Sequence, residues 1–123
     1  MTEKAVAELN ALLGDPEDPD NPVGRRACLA ADERAEILVE GERRLRAFGL
    51  GAEFVPVAHG GRLRGLDRTA ALLRAVYARD PALGLGFGLT SLLAAANVWA
   101  AGSEELRAET AGVLLDGGRI GCA

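Results

Sequence analysis

Aromatic side chains are scarce in this chain: Phe48, Phe54, Tyr77, Phe87 and Trp99 are the whole set. A core of stacked rings is therefore excluded, and so is the aromatic belt that anchors membrane spans. Cysteine occurs twice, at Cys28 and Cys122, in no CxxC or other metal-type spacing. The pair reads as structural thiols of a reduced, cytosolic chain, and no metal site is expected. The single histidine, His59, has no Ser, Cys or carboxylate partner beside it to orient it as a general base, and reads as a surface loop residue. Positive charge is in deficit, with a formal net charge of −4, which argues against nucleic-acid or anionic-membrane binding. Arg62, Arg64 and Arg68 form the one arginine-rich spot that suggests a phosphate; with Asp67 among them, a solvated helix start is the favoured reading. No basic n-region leads into an apolar run at the N-terminus, so no signal peptide is expected.

What is abundant is Ala, Leu and Gly, within a hydrophobic share of 49%. The 123 residues suit one domain, burying about two-thirds of the unfolded surface. The most distinctive stretch is 80–103, DPALGLGFGLTSLLAAANVWAAGS, with no charge between Asp80 and Glu104. Leu85, Leu89, Leu92, Leu93, Ala96 and Trp99 follow helical spacing, while Leu83, Phe87, Ala95 and Val98 fill the other sides. A helix apolar all round is wrapped by protein or by lipid. Length alone permits a bilayer span. The glycines, Thr90, Ser91 and Asn97, the missing basic flank and the capped amphipathic neighbours favour protein.

The rest of the chain reads as helices and breakers. Residues 3–13 form a first helix with Thr2 as cap and Val6, Leu9, Leu12 and Leu13 as its stripe, closed by Gly14. Residues 14–24 are an Asp/Pro-rich loop without the spacing of a calcium loop. A helical turn over 25–31 precedes a helix over 32–48, ended by Gly49 and Gly51. Residues 52–61 read as an extended connector with Phe54 and Val55 inward, and 66–78 as the next helix. Asp80 and Pro81 provide an N-cap and a first-turn proline for the apolar helix, and Ser103 caps the last helix, to 115. Asp116-Gly117-Gly118 is a turn, and 119–123 reads as the opening of a β-strand. The expected fold is all-α: a bundle of about five helices around the central apolar helix 80–102.

This order of features resembles the N-terminal helical domain of the acyl-CoA dehydrogenase family. The matching residues are Phe48-Gly49-Leu50, Val55-Pro56, Gly60-Gly61, Asp80, Ala101-Gly102-Ser103-Glu104-Glu105 and Asp116-Gly117-Gly118-Arg119-Ile120-Gly121. The resemblance covers residues 32–123. It departs at Val57-Ala58-His59, where the family has an acidic pair, and at Arg107, where the family has Lys. These departures point to an atypical bacterial branch, one of secondary metabolism, with a substrate other than the usual fatty acid.

The resemblance implies a three-part flavoprotein in which a β-barrel and a C-terminal bundle, both absent from this sequence, hold FAD. A glutamate of that C-terminal bundle removes the α-proton of an acyl thioester, carried on CoA or a carrier protein, and the β-hydrogen leaves as hydride to the flavin. This chain then supplies no catalytic or cofactor-binding residue and is inactive alone. Its implied contribution is one wall of the acyl pocket, from Gly86, Leu89, Thr90 and Leu93, with Leu89 setting depth. The remaining FAD domains and further copies in a homo-oligomer are the expected partners. The alternative is a non-catalytic helical interaction module that exposes the apolar helix.

Overall fold

The computed structural model describes residues 1–121, and every regular element within them is helical. The helices are α1 (Thr2–Leu13), α2 (Arg25–Glu33), α3 (Val39–Phe48), α4 (Leu66–Arg79), α5 (Pro81–Ala101) and α6 (Glu104–Leu115). Helix α1 lies against α3 and α4, and α4 turns back on α5. Helix α6 covers the turn after α3 and the end of α5. The core runs through these contacts, from Leu9 and Leu13 of α1 through Leu45 and Leu72 to Leu114.

Local chemistry explains most of the boundaries. Asp80 accepts the amide of Ala82 at 3.3 Å with Pro81 in the first turn, and Ser103 accepts the amide of Leu106 at 3.1 Å. Both are the expected caps. Thr2 is different: it lies inside α1, whose N-cap is Met1 and which has no side-chain cap. The buried stripe of α1 is Ala5, Leu9 and Leu13, and Leu12 faces outward.

The helix expected over 32–48 is two helices. Helix α2 ends where Ala35 takes a left-handed φ of 52°, with the Ala35 and Glu36 amides returning to Asp32 and Ala31. The chain is thereby re-aimed before α3, whose Gly41 comes so close to Leu83 that a Cβ there would lie 2.5 Å from Cδ1. Nor is the connector after α3 extended. Two 3₁₀ turns, Leu50–Phe54 and Val57–His59, carry it, and a single bridge joins Pro56 to Leu63. The acidic loop is stitched from inside: the Asn21 amide donates to the carbonyls of Leu13 and Asp15. The Arg79 guanidinium donates to Leu13, Gly14 and Val23 at 2.6–2.9 Å.

Within α5, residues Leu85–Leu89 widen into a π-helical turn. Gly84 and Gly88 there let α4 approach: a Cβ at Gly84 would meet the Tyr77 ring at 2.6 Å, and one at Gly88 would meet Leu73 at 2.5 Å. After α6, Arg119–Gly121 run beside α5 with no strand pairing. The Ser91 hydroxyl holds them, accepting from the Ile120 amide at 3.2 Å and donating to its carbonyl at 3.4 Å. The remainder of the expected strand, Cys122 and Ala123, lies outside the described residues.

Candidate functional site: the open face of α5

Helix α5 is uncharged along its length, and its two faces meet different surroundings. Leu83, Phe87, Ser91, Ala94 and Ala95 are buried. The opposite side carries Leu85 (55% exposed), Gly86, Thr90, Leu93 (56% exposed), Ala96, Asn97 and Ala100, all exposed, with Leu89 half-buried among them and the Asn97 amide donating to the Leu93 carbonyl. Gly86, Leu89, Thr90 and Leu93, the four pocket residues expected from sequence, are spaced i, i+3, i+4 and i+7 and so share one helical face. That face is apolar and open.

The π-helical turn sits at one end of this strip. The amide and hydroxyl of Thr90 both donate to the Leu85 carbonyl, the hydroxyl at 2.8 Å, which keeps its polar group against the backbone, while its methyl lies beside Gly121. Gly86 differs from its neighbours Gly84 and Gly88. A Cβ there would find only Arg119 Nη1, at 4.0 Å, so nothing within the described residues requires a glycine. Glycine in a helix costs about 1 kcal/mol relative to alanine.

A charged group bounds the same end. Arg119 lies 6.0 Å from the centre of the Phe87 ring, Arg46 lies 5.6 Å from it, and Arg119 Nη1 is 3.5 Å from the Gly86 carbonyl. Glu42 pairs with Arg46 at 3.0 Å and stands 3.9 Å from Arg119. The strip thus runs from a guanidinium at Gly86 along Leu89 and Leu93 without meeting another charge. It suits an apolar chain with a polar group at one end. Between Leu85 and Leu93 the only side-chain polar group on the strip is the Thr90 hydroxyl, and it is already bonded to Leu85. By length and composition alone, α5 is also long and apolar enough to cross a membrane, a test that the core helix of a soluble protein passes as well.

Among the other residues singled out from the sequence, His59 stands differently from its expectation as a surface loop residue. His59 is half-buried and stacks on Trp99, ring centres 5.5 Å apart, while the Trp99 indole donates to the Phe54 carbonyl at 2.9 Å. Cys28 is half-buried, and burial pushes its thiol pKa up, away from a reactive thiolate. No group of three or more His, Cys, Asp and Glu suited to a metal occurs among the described residues.

The arginine cluster is not simply a solvated helix start. Arg62 and Arg68 both bond the carboxylate of Glu53, which is completely buried. Sequence reasoning missed Glu53; its signal was a lone carboxylate inside the apolar run AEFVPV, with arginines following.

No protein-family model, curated protein or solved structure matches this chain.

Proposed function

We propose that this chain is the helical N-terminal domain of an acyl-CoA dehydrogenase-like flavoprotein, and that the open face of α5 is its wall of the acyl pocket. One observation carries the reading. The four residues that the family resemblance assigns to the acyl chain lie together on the long face of α5 that the described residues leave uncovered. Helices 1–6 then make up the bundle of such a domain, in a cytoplasmic protein, and the segment from Arg119 onward leads toward its first strand.

In this reading the ligand is an acyl thioester, laid along Leu89 and Leu93, with Gly86 making room for it at the π turn. The residues of this chain position the acyl chain and exclude water from it. FAD, which supplies the oxidising chemistry, is held by other domains, as is the catalytic base. The chain alone is inactive.

The test is the longer reading frame. Joined to downstream sequence and purified with FAD, the protein is expected to be yellow and to lose flavin absorbance at about 450 nm when an acyl thioester is added anaerobically. A full-length protein that stays colourless with FAD present would sink the proposal.

The exposed leucines support a second reading, a non-catalytic module that pairs through α5. Light-scattering mass separates the two. A monomer that binds no apolar dye counts against self-association, and a dimer lost on Leu93→Lys counts for it.

A further inference from the structure

We propose that Arg62, Arg64 and Arg68 form a binding site for a phosphate-bearing small molecule, on the surface beside the start of α4. This site is separate from the strip on α5. The argument begins with Glu53, whose carboxylate is fully buried and whose two oxygens are both taken by arginine. Arg62 Nε donates to Oε1 at 2.7 Å, and Arg68 donates through Nε to Oε2 at 2.9 Å and through Nη2 to Oε1 at 3.0 Å. Arg62 Nη2 is held as well, by the Gly49 carbonyl at 2.6 Å. Two guanidinium planes are therefore fixed from behind, which removes the ordering cost that long side chains usually incur on binding.

Their outer edges stay open. The two side chains are 44% and 34% exposed, and Nη1 of each has no acceptor among the described residues. Arg64 is exposed and makes no ion pair among those residues. All three arginines line two adjoining depressions of about 440 and 210 Å³. Three guanidiniums stand against the carboxylates of Glu53 and Asp67, with Glu8 also acting on Arg68, and the N-terminal residue Met1 lines the larger depression, so the patch gathers cationic groups in a chain of net charge −4. Helix α4 begins here, with Gly65 at its N-cap and no side chain bonded to the first-turn amides, and its dipole adds to the same field.

The donor set selects the ligand. A carboxylate offers two oxygens on one carbon, whereas the free Nη1 groups of Arg62 and Arg68 together with the whole Arg64 guanidinium suit the several oxygens of a phosphate or diphosphate. Exposed Val57, at the rim of the larger depression, offers contact to an apolar remainder of the molecule.

Calorimetric titration of the chain at low salt, with inorganic pyrophosphate and in parallel with acetate, tests the assignment. Saturable one-to-one binding of pyrophosphate and none of acetate are expected. Arg64→Ala should weaken binding about tenfold, the loss of one charge-assisted hydrogen bond, with the melting temperature unchanged because Arg64 holds nothing in the fold. The proposal is overturned by the absence of saturable heat with pyrophosphate, by equal binding of acetate, or by an Arg64→Ala affinity within about threefold of the parent. The titration involves neither flavin nor acyl group, so its outcome is independent of the flavoprotein reading.

Discussion

The buried and open faces of α5 are built from the same few residue types and differ in what lies against them. On the buried side, Tyr77 and Leu73 of α4 occupy the space a side chain would take at Gly84 and Gly88. On the open side, Gly86 has free space where its Cβ would be, and Leu85 and Leu93 stand more than half in solvent. Glycine in the first setting is explained by helix packing. In the second it costs stability and gains nothing inside the described residues, which is the pattern expected when a ligand or another segment completes the surface. The same comparison holds for leucine: Leu83 is 3% exposed, and Leu93, ten residues further along the same helix, is 56% exposed.

The largest contrast is therefore expected from leucine truncation on the buried face. Leu83→Ala removes a side chain packed between α5 and Gly41 of α3, and should lower unfolding free energy by about 2–5 kcal/mol in urea titrations. A loss below about 1 kcal/mol would mean that this contact is not tightly packed. Arg79→Met should follow in size. It leaves the carbonyls of Leu13, Gly14 and Val23 without their shared cation, at about 2–4 kcal/mol, and should open the acidic loop to proteolysis before the helices.

Gly84→Ala and Gly86→Ala are the same substitution two residues apart, with opposite expected signs. At Gly84 the new methyl meets the Tyr77 ring and should destabilise by about 1–3 kcal/mol. At Gly86 it enters open space and should stabilise by about 0.5–1 kcal/mol, through the unfolded chain's lost freedom. Thermal melts of the pair check both. Equal destabilisation by the two would mean that Gly86 is also packed, and would remove the best reason to read the open face as a binding surface.

The parts of this fold legible in the sequence are those fixed by residues close in sequence. Asp80-Pro81 and Ser103 announce their helix starts because a cap bonds an amide two or three residues on. The common face of Gly86, Leu89, Thr90 and Leu93 follows from helical periodicity alone. What was not legible depends on partners that arrive from elsewhere. Ala35 breaks the 32–48 region with a left-handed turn that ordinarily signals glycine, so no breaker marks the site. Glu53 is buried only because Arg62 and Arg68 reach back to it, and His59 is partly covered because Trp99 stacks against it. For α5 itself, the pattern could not say which face is covered, since every face is apolar; Tyr77, Leu73 and the Ser91–Ile120 contacts decide that.

The smallest effect on stability is expected on the open strip, and there its smallness carries the meaning. Leu93→Ala removes a side chain that already stands mostly in water, so the unfolding free energy should move by no more than about 0.5 kcal/mol. Binding should respond instead. If Leu93 contributes to an apolar ligand surface, an alkyl thioester or an apolar dye loses the burial of several methylene-sized groups there, at about 0.8 kcal/mol each. Affinity should fall by about ten- to fiftyfold while the melt is unchanged. Dye fluorescence and a denaturation curve on the same sample separate the two quantities. A stability loss comparable to that of Leu83→Ala would show that Leu93 is packed in solution and that the face is covered by this chain itself. An unchanged melt with unchanged dye and thioester binding would place the ligand surface away from Leu93, and so away from the strip that Gly86, Leu89 and Thr90 share with it.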